Sequence, residues 1–436
     1  MSRPVRLLRA LALAGAFALL LPIGSWMPSD AAARSAPRPA LAPLDVGEEI
    51  AAFYRDRDFQ PLWIQDGALR PEAARLVEML TGTTADSADL RAALAAARNG
   101  DPHRLTRADL LLSRAFVAFV QGHHRPPARA TMRYIDEGLA PAAQSARTLL
   151  DEVAATPSLA RHLDLVDRIN PVFDGLRRAL ATARDPAQRR TIEANIQRAR
   201  DIPARAGRYV LVDAASAQLW MIEDGRIVDR MRVIVGKNSM QTPALAGLIR
   251  YAALNPYWNL PPDLIRQRAR GGARAIAAER LEVLSDWSPG ARRLDPAQVD
   301  WRAVASGRRL VNLRQTPGAH NMMGRVKFML PNDLGVYLHD TPLRELFAGA
   351  DRRQSSGCVR LEDAGRLERW LFAGRTPRPD GTPEQRVDLP EPVPVYIGYF
   401  TALPMRDGVA FLPDVYGRDG SGVSAASRRP RQTRSA

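Results

Sequence analysis

Cys358 is the single cysteine of a 436-residue chain, and it stands in the segment "RRQSSGCVRL" between a glycine and a valine. A thiol becomes a nucleophile when its surroundings favour the thiolate and a base lies within reach. The run Leu361 to Phe372 has helical spacing, so Cys358 is expected at a loop-to-helix junction. There, free amide groups and the neighbouring Arg352, Arg353 and Arg360 would lower its pKa. Gly357 lets the backbone approach a ligand closely, so successive N–H groups could face a developing oxyanion. His339 ends the strand pattern "GVYLHD" upstream, a suitable place for a general base on a rigid element. Taken singly, His339 could be a hydrogen-bonded histidine ending a strand, and Cys358 a buried small hydrophobe. Together, in a polar glycine loop, they point to chemistry.

The N-terminus places that thiol outside the cytoplasm. Arg3, Arg6 and Arg9 precede the apolar run Ala10 to Gly24, and "SDAAARSAP" offers a cleavage point after about Ala33. This is the layout of a secretory signal peptide over residues 1–33, and left uncleaved it would anchor the chain to the inner membrane. An exported lone cysteine has no partner within its own chain for a disulfide. The formal net charge is +15, carried by arginine except at Lys237 and Lys327. The arginines are scattered rather than set on one stripe, and no nucleic-acid motif accompanies them, so nucleic acid is not expected as a partner.

Residues 34–47 read as a Pro/Ala-rich linker, and 48–206 as an all-α region. "PEAARLVEML" opens with Pro71 in a first turn, a helix follows Thr106, and "LARHLDLVDRINPVFDGLRRALATAR" reads as two helices hinged at Pro171. Adjacent His123 and His124 are expected in an exposed loop. With six histidines and one cysteine, no spacing resembles a zinc site, and no metal or cofactor is expected. From Gly207 the texture alternates, with Asp224-Gly225 as a type I′ hairpin turn. Residues 207–400 are therefore expected to form a mostly β domain, interrupted by a helical lid at 261–310. The whole is an α+β chain. Residues 401–436 are expected to hold a closing strand and then, from Gly417, a disordered basic tail.

"YLHDTPLRELFAGADRRQSSGCVRLED" resembles the active-site stretch of L,D-transpeptidases with a YkuD-type catalytic domain. "NPYWNLPP", "PGAHNMMGRVKFMLPN" and "FYRDRDFQPLWIQDG" are similar to the large, YcbB-like members. The resemblance implies a periplasmic enzyme acting on peptidoglycan stem peptides. Cys358 would attack the bond between diaminopimelate and the terminal D-alanine, and a diaminopimelate amine of a second stem would resolve the thioester. His339 would shuttle the proton and backbone amides near Gly357 would hold the oxyanion. Arg360 would fix the loop or face a substrate carboxylate. Tyr337, Trp258, Asp340 and Arg353 are the candidate substrate-binding residues. Many relatives carry histidine where Ser356 stands, so Ser355 or Ser356 would be the polar partner. No copy of the three-helix peptidoglycan-binding module is found between Arg133 and Arg205. Water or a lipoprotein lysine as acceptor would make the enzyme a carboxypeptidase or a ligase, and loss of catalysis would leave a wall-binding scaffold. A monomer is the expectation.

Overall fold

The computed structural model describes residues 46–419 except 84, 99, 205, 206 and 289. The expected signal peptide, the first part of the linker and the tail beyond 419 lie outside the described residues. Helices dominate as far as residue 199: α1 (Glu48–Asp56), α2 (Pro71–Leu80), α3 (Ala88–Ala97), α4 (Pro102–His123), α5 (Ala146–Ala155), α6 (Leu159–Val166), α7 (Pro171–Thr182) and α8 (Pro186–Ala199). Three short strands lie among them, β1 (Ile64–Gln65), β2 (Ala68–Leu69) and β3 (Arg133–Tyr134). The break at Pro171 falls as read, with Asn170 capping α7 by accepting the Phe173 N–H at 2.9 Å. α4 starts a turn earlier than Thr106, because the Asp101 carboxylate caps the Arg104 N–H at 2.9 Å. His123 and His124 are not in an exposed loop. They finish α4, and their rings bond the carbonyls of Asp167 (3.0 Å) and Val166 (2.6 Å).

The β region contains β4 (Arg208–Asp213), β5 (Gln218–Glu223), β6 (Arg226–Gly236) and β7 (Leu245–Leu254). Asp224 and Gly225 both have positive φ, 46° and 73°, as a type I′ turn between β5 and β6 requires. An insertion follows, with β8 (Trp258–Asn259), α9 (Pro262–Ala269), α10 (Gly272–Ala278), β9 (Leu281–Leu284), β10 (Arg293–Leu294), α11 (Trp301–Ala305) and β11 (Asn312–Gln315). The chain then supplies β12 (Val326–Met329), β13 (Leu338–His339), β14 (Arg353–Ser355), β15 (Val359–Leu361), α12 (Ala364–Leu371), β16 (Gln385–Gly398), β17 (Ala402–Met405) and β18 (Gly408–Phe411). The large sheet runs β12-β13-β15-β6-β5-β4-β16-β7-β3, and pairing of β12 with β7 closes it into a barrel.

One expectation changes here. The insertion is not merely helical: it has a four-stranded sheet, β10-β9-β11-β8, and its own core around Trp258, Ile276, Val283, Trp301 and Leu313. Helices α7 and α8 pack on the large sheet. Phe173 and Leu176 of α7, with Ile192 and Ile196 of α8, share a core with Tyr209, Leu211 and Tyr396 of the sheet. Burial of these apolar faces of α7 and α8 binds them to the barrel.

Candidate active site

Alternation along three neighbouring strands decides which side chains meet. Val326, Phe328, Leu338, Val359 and Leu361 point into the barrel core. Their alternates, Lys327, Tyr337, His339, Cys358 and Arg360, therefore share the outer face. The register aligns them: β13 runs parallel to β15 with Leu338 opposite Val359 and His339 opposite Arg360, while Lys327 lies opposite His339. The Val359 N–H donates to the Tyr337 carbonyl at 3.1 Å, which continues the register to Tyr337 and Cys358. Adjacent strands lie about 4.8 Å apart, so His339 and the thiol are diagonal neighbours.

Cys358 is half-buried and is followed by a strand, not by a helix. α12 begins only at Ala364 under an Asp363 cap, so its N-terminal amides do not serve the sulfur. The expected lowering of the thiol pKa is accordingly reversed. Burial pushes it up, and the Tyr337 N–H and the Arg360 cation only partly offset that. The Sγ instead donates to the Gly335 carbonyl at 3.4 Å. Gly335 sits on a loop that Asn332 closes by donating to the Leu330 and Val336 carbonyls at 2.6 and 2.7 Å.

His339 is buried, and its Nδ1 lies 2.6 Å from the Asp340 carbonyl oxygen. If Nδ1 carries the proton, Nε2 is left as the acceptor. Burial, then Arg360 and Lys327, push the imidazole pKa down to about 3. The resting pair is thus a neutral thiol and a neutral imidazole. Arg360 is half-buried, and its guanidinium makes no hydrogen bond or ion pair with a described residue. Tyr337 packs against both the barrel core and the insertion core, and its ring meets His339 edge-on at 6.3 Å.

The remaining expected site residues divide differently. Ser356 is exposed and has no hydrogen bond to a described residue. Ser355 is the organiser: its buried hydroxyl donates to the Cys358 carbonyl at 2.6 Å and accepts the Gly357 N–H at 3.1 Å. With that amide engaged, the Ser356 and Cys358 N–H groups are the donors of the loop without a hydrogen bond to a described residue. Asp340 does not face a substrate. It is buried, accepts the Arg325 N–H at 2.9 Å, pairs with Arg344, and packs where a Cβ on Gly324 would stand at 2.4 Å. Arg353 pairs with Asp351 at 2.7 Å. Trp258 is buried in the insertion core, against which Tyr337 also packs. Thr242, Lys327 and Glu384 were not anticipated. Thr242 donates to the Gly357 carbonyl at 2.9 Å, and Glu384 pairs with Lys327 at 2.9 Å. Among the described residues no group of acidic, histidine and cysteine side chains could hold a metal ion.

Residues 207–395 match the YkuD L,D-transpeptidase catalytic domain, and residues 48–180 match the Scaffold domain. A Haemophilus influenzae protein assigned as an L,D-transpeptidase is 26% identical over 398 residues, covering 85% of this chain and 78% of the relative. A solved L,D-transpeptidase from Mycobacterium smegmatis is 14% identical, covering 44% of this chain and 58% of that one, with a TM-score of 0.22. One from Enterococcus faecium is 13% identical over 45% and 52%, with a TM-score of 0.23. This chain thus spans little more than half the length of those two solved proteins. Residues 207–395 are therefore an L,D-transpeptidase catalytic domain, built here around a barrel. The chain thus joins a Scaffold domain to a YkuD L,D-transpeptidase catalytic domain, a YcbB-like arrangement.

Proposed function

We propose that the protein cross-links peptidoglycan outside the cytoplasm, with Cys358 as nucleophile and His339 as proton carrier. The observation that supports this most directly is the shared outer face of Tyr337, His339, Cys358 and Arg360, set by the register of β13 and β15. A stem-peptide carboxylate pairs with Arg360, the half-buried guanidinium without a described acidic partner. That contact cancels one of the charges that depress His339, so imidazole basicity rises when donor arrives.

His339 then takes the thiol proton, and sulfur attacks the carbonyl that joins diaminopimelate to the terminal D-alanine. The oxyanion is held by the Cys358 N–H. The C–N bond breaks, D-alanine leaves with the proton from His339, and a thioester remains. A diaminopimelate side-chain amine of a second stem attacks the thioester. It loses a proton to His339 and expels the thiolate, which joins two third residues. Export through residues 1–33 and action as a monomer complete this reading.

The test uses purified protein with disaccharide tetrapeptides. Dimers linked through third residues support transfer. Tripeptide monomers alone make the enzyme a carboxypeptidase, and the absence of D-alanine release overturns the reading.

A further inference from the structure

Beyond β18 the chain folds back against Gly236, Gln241 and Thr242, and Thr242 contacts the nucleophile's loop. We infer that residues 414–419 are a strap, anchored on α8, that positions Cys358 through Thr242. The inference rests on Cys358 being the nucleophile of the proposed reaction.

The path can be followed bond by bond. On α8, Arg198 donates to the Asp419 carboxylate at 2.8 Å and to the Arg418 carbonyl at 2.7 Å. Thr401 donates to the same carboxylate at 2.9 Å and is itself held by Asn195 of α8 at 2.9 Å. The Asp414 carboxylate accepts the Tyr399 hydroxyl (2.8 Å) and the N–H groups of Arg418 (2.8 Å) and Asp419 (2.7 Å), which curls the strap into a closed turn. The Tyr399 and Tyr416 rings stack at 5.1 Å, and Arg418 lies 5.0 and 4.8 Å from their centroids. That stack fixes the guanidinium plane.

From there Arg418 donates to the Gln241 side-chain oxygen and to the Thr242 carbonyl, both at 3.0 Å. The Gln241 amide returns a bond to the Tyr416 carbonyl at 3.2 Å, and the Tyr416 hydroxyl donates to the Gly236 carbonyl. Thr242 finishes the path. Its hydroxyl accepts the Gly236 N–H at 2.8 Å and donates to the Gly357 carbonyl at 2.9 Å. The turn has no slack, since a Cβ on Gly236 would stand 2.2 Å from the Met240 carbonyl oxygen. The strap therefore sets where residue 357 ends and where the sulfur and N–H of residue 358 point. Thr242, Tyr416 and Arg418 are positioning residues.

The test is alkylation of Cys358, the only cysteine, by iodoacetamide across pH in the full-length protein. Melting curves confirm folding. Thr242→Val should slow alkylation by about tenfold and move the midpoint of its pH profile, and Thr242→Ser should restore both. Arg418→Met, at a half-buried position, should slow it by about threefold and serves even if Thr242→Val does not fold. In turnover of tetrapeptide, kcat should fall with KM unchanged. Alkylation on the wild-type pH profile in folded Thr242→Val or Arg418→Met overturns the inference. A shifted profile in the variants, together with a wild-type protein that releases no D-alanine, sustains the strap and removes the proposed reaction instead.

Discussion

Asp109 in the helical region and His339 on the barrel are almost equally buried, 1% and 2% exposed, yet their surroundings are built on opposite lines. Around Asp109 the carboxylate itself is fully answered. It accepts the Tyr54 hydroxyl (2.5 Å) and the N–H groups of Leu62 (3.1 Å) and Trp63 (2.7 Å). Ser113 completes the set by accepting the Trp63 indole N–H at 2.9 Å. Around His339 the binding capacity is left open. The Arg360 guanidinium, the Cys358 N–H and the imidazole Nε2 have no hydrogen-bond partner among the described residues. A closed network rigidifies a fold. An open one at comparable depth has a cost in stability and can be completed by a substrate.

That contrast can be broken at several points. The largest effect is expected at the sulfur: Cys358→Ala should lower D-alanine release by at least about a thousandfold while the protein stays folded. Intact mass should show a carbapenem adduct on wild type only, and an adduct on Cys358→Ala would end the nucleophile assignment. Next comes the closed network. Asp109→Ala orphans the two buried N–H groups of Leu62 and Trp63 and leaves the Tyr54 hydroxyl only Ser113, so urea unfolding should show a loss of about 3 kcal/mol. The folded variant should still alkylate at Cys358 at the wild-type rate, because no reacting group has moved.

The third effect is a pH slope. The folded pKa of His339 is about 3 against an ordinary 6.5, so below pH 6.5 the unfolded chain takes up a proton that the folded site refuses. Its contribution to stability is complete above pH 6.5 and declines as pH falls toward about 3, by up to about 1.4 kcal/mol per pH unit. His123, held at about 4 mainly by burial, adds to the same decline. Unfolding measured between pH 7 and 4 should therefore be less pH-dependent in His339→Gln than in wild type. Equal slopes would mean that His339 is charged in the fold. The smallest effects lie in the loop. Ser355→Ala should slow acylation by about tenfold, whereas Ser356→Ala should stay within about twofold because its side chain is at the surface.

Much of this site is written in alternation that a reader can see. "VYLH" and "CVRL" each alternate core and surface positions, and both place the chemical residue on the same face. The helical reading after Cys358 arose because Leu361 also fits the 3.6-residue spacing of α12. Pairing with β13 and β6 decides the matter in favour of strand, and such pairing joins residues far apart in sequence. Ser355 and Ser356 cannot be ranked from adjacent letters, since only the folded loop buries one and exposes the other. The sheet of the insertion escaped notice because its strands are two to four residues long. Arg418 lies among glycines and charges that read as a tail, and only its contacts with Gln241 and Thr242 show otherwise.

β3 carries a consequence for how such a chain can be inherited. It is two residues long, yet it covers the edge of β7 beside Leu245 and Ala246, and Arg133 also pairs with Asp333 on the loop that bears Gly335. A catalytic cassette excised at residue 207 would lose this edge strand and the helical surface under Tyr209 and Tyr396, exposing a template for pairing with foreign strands. The two halves are therefore not exchangeable modules. Any recombination that moves the barrel into a new protein must bring residues 133–134 and α7–α8 with it.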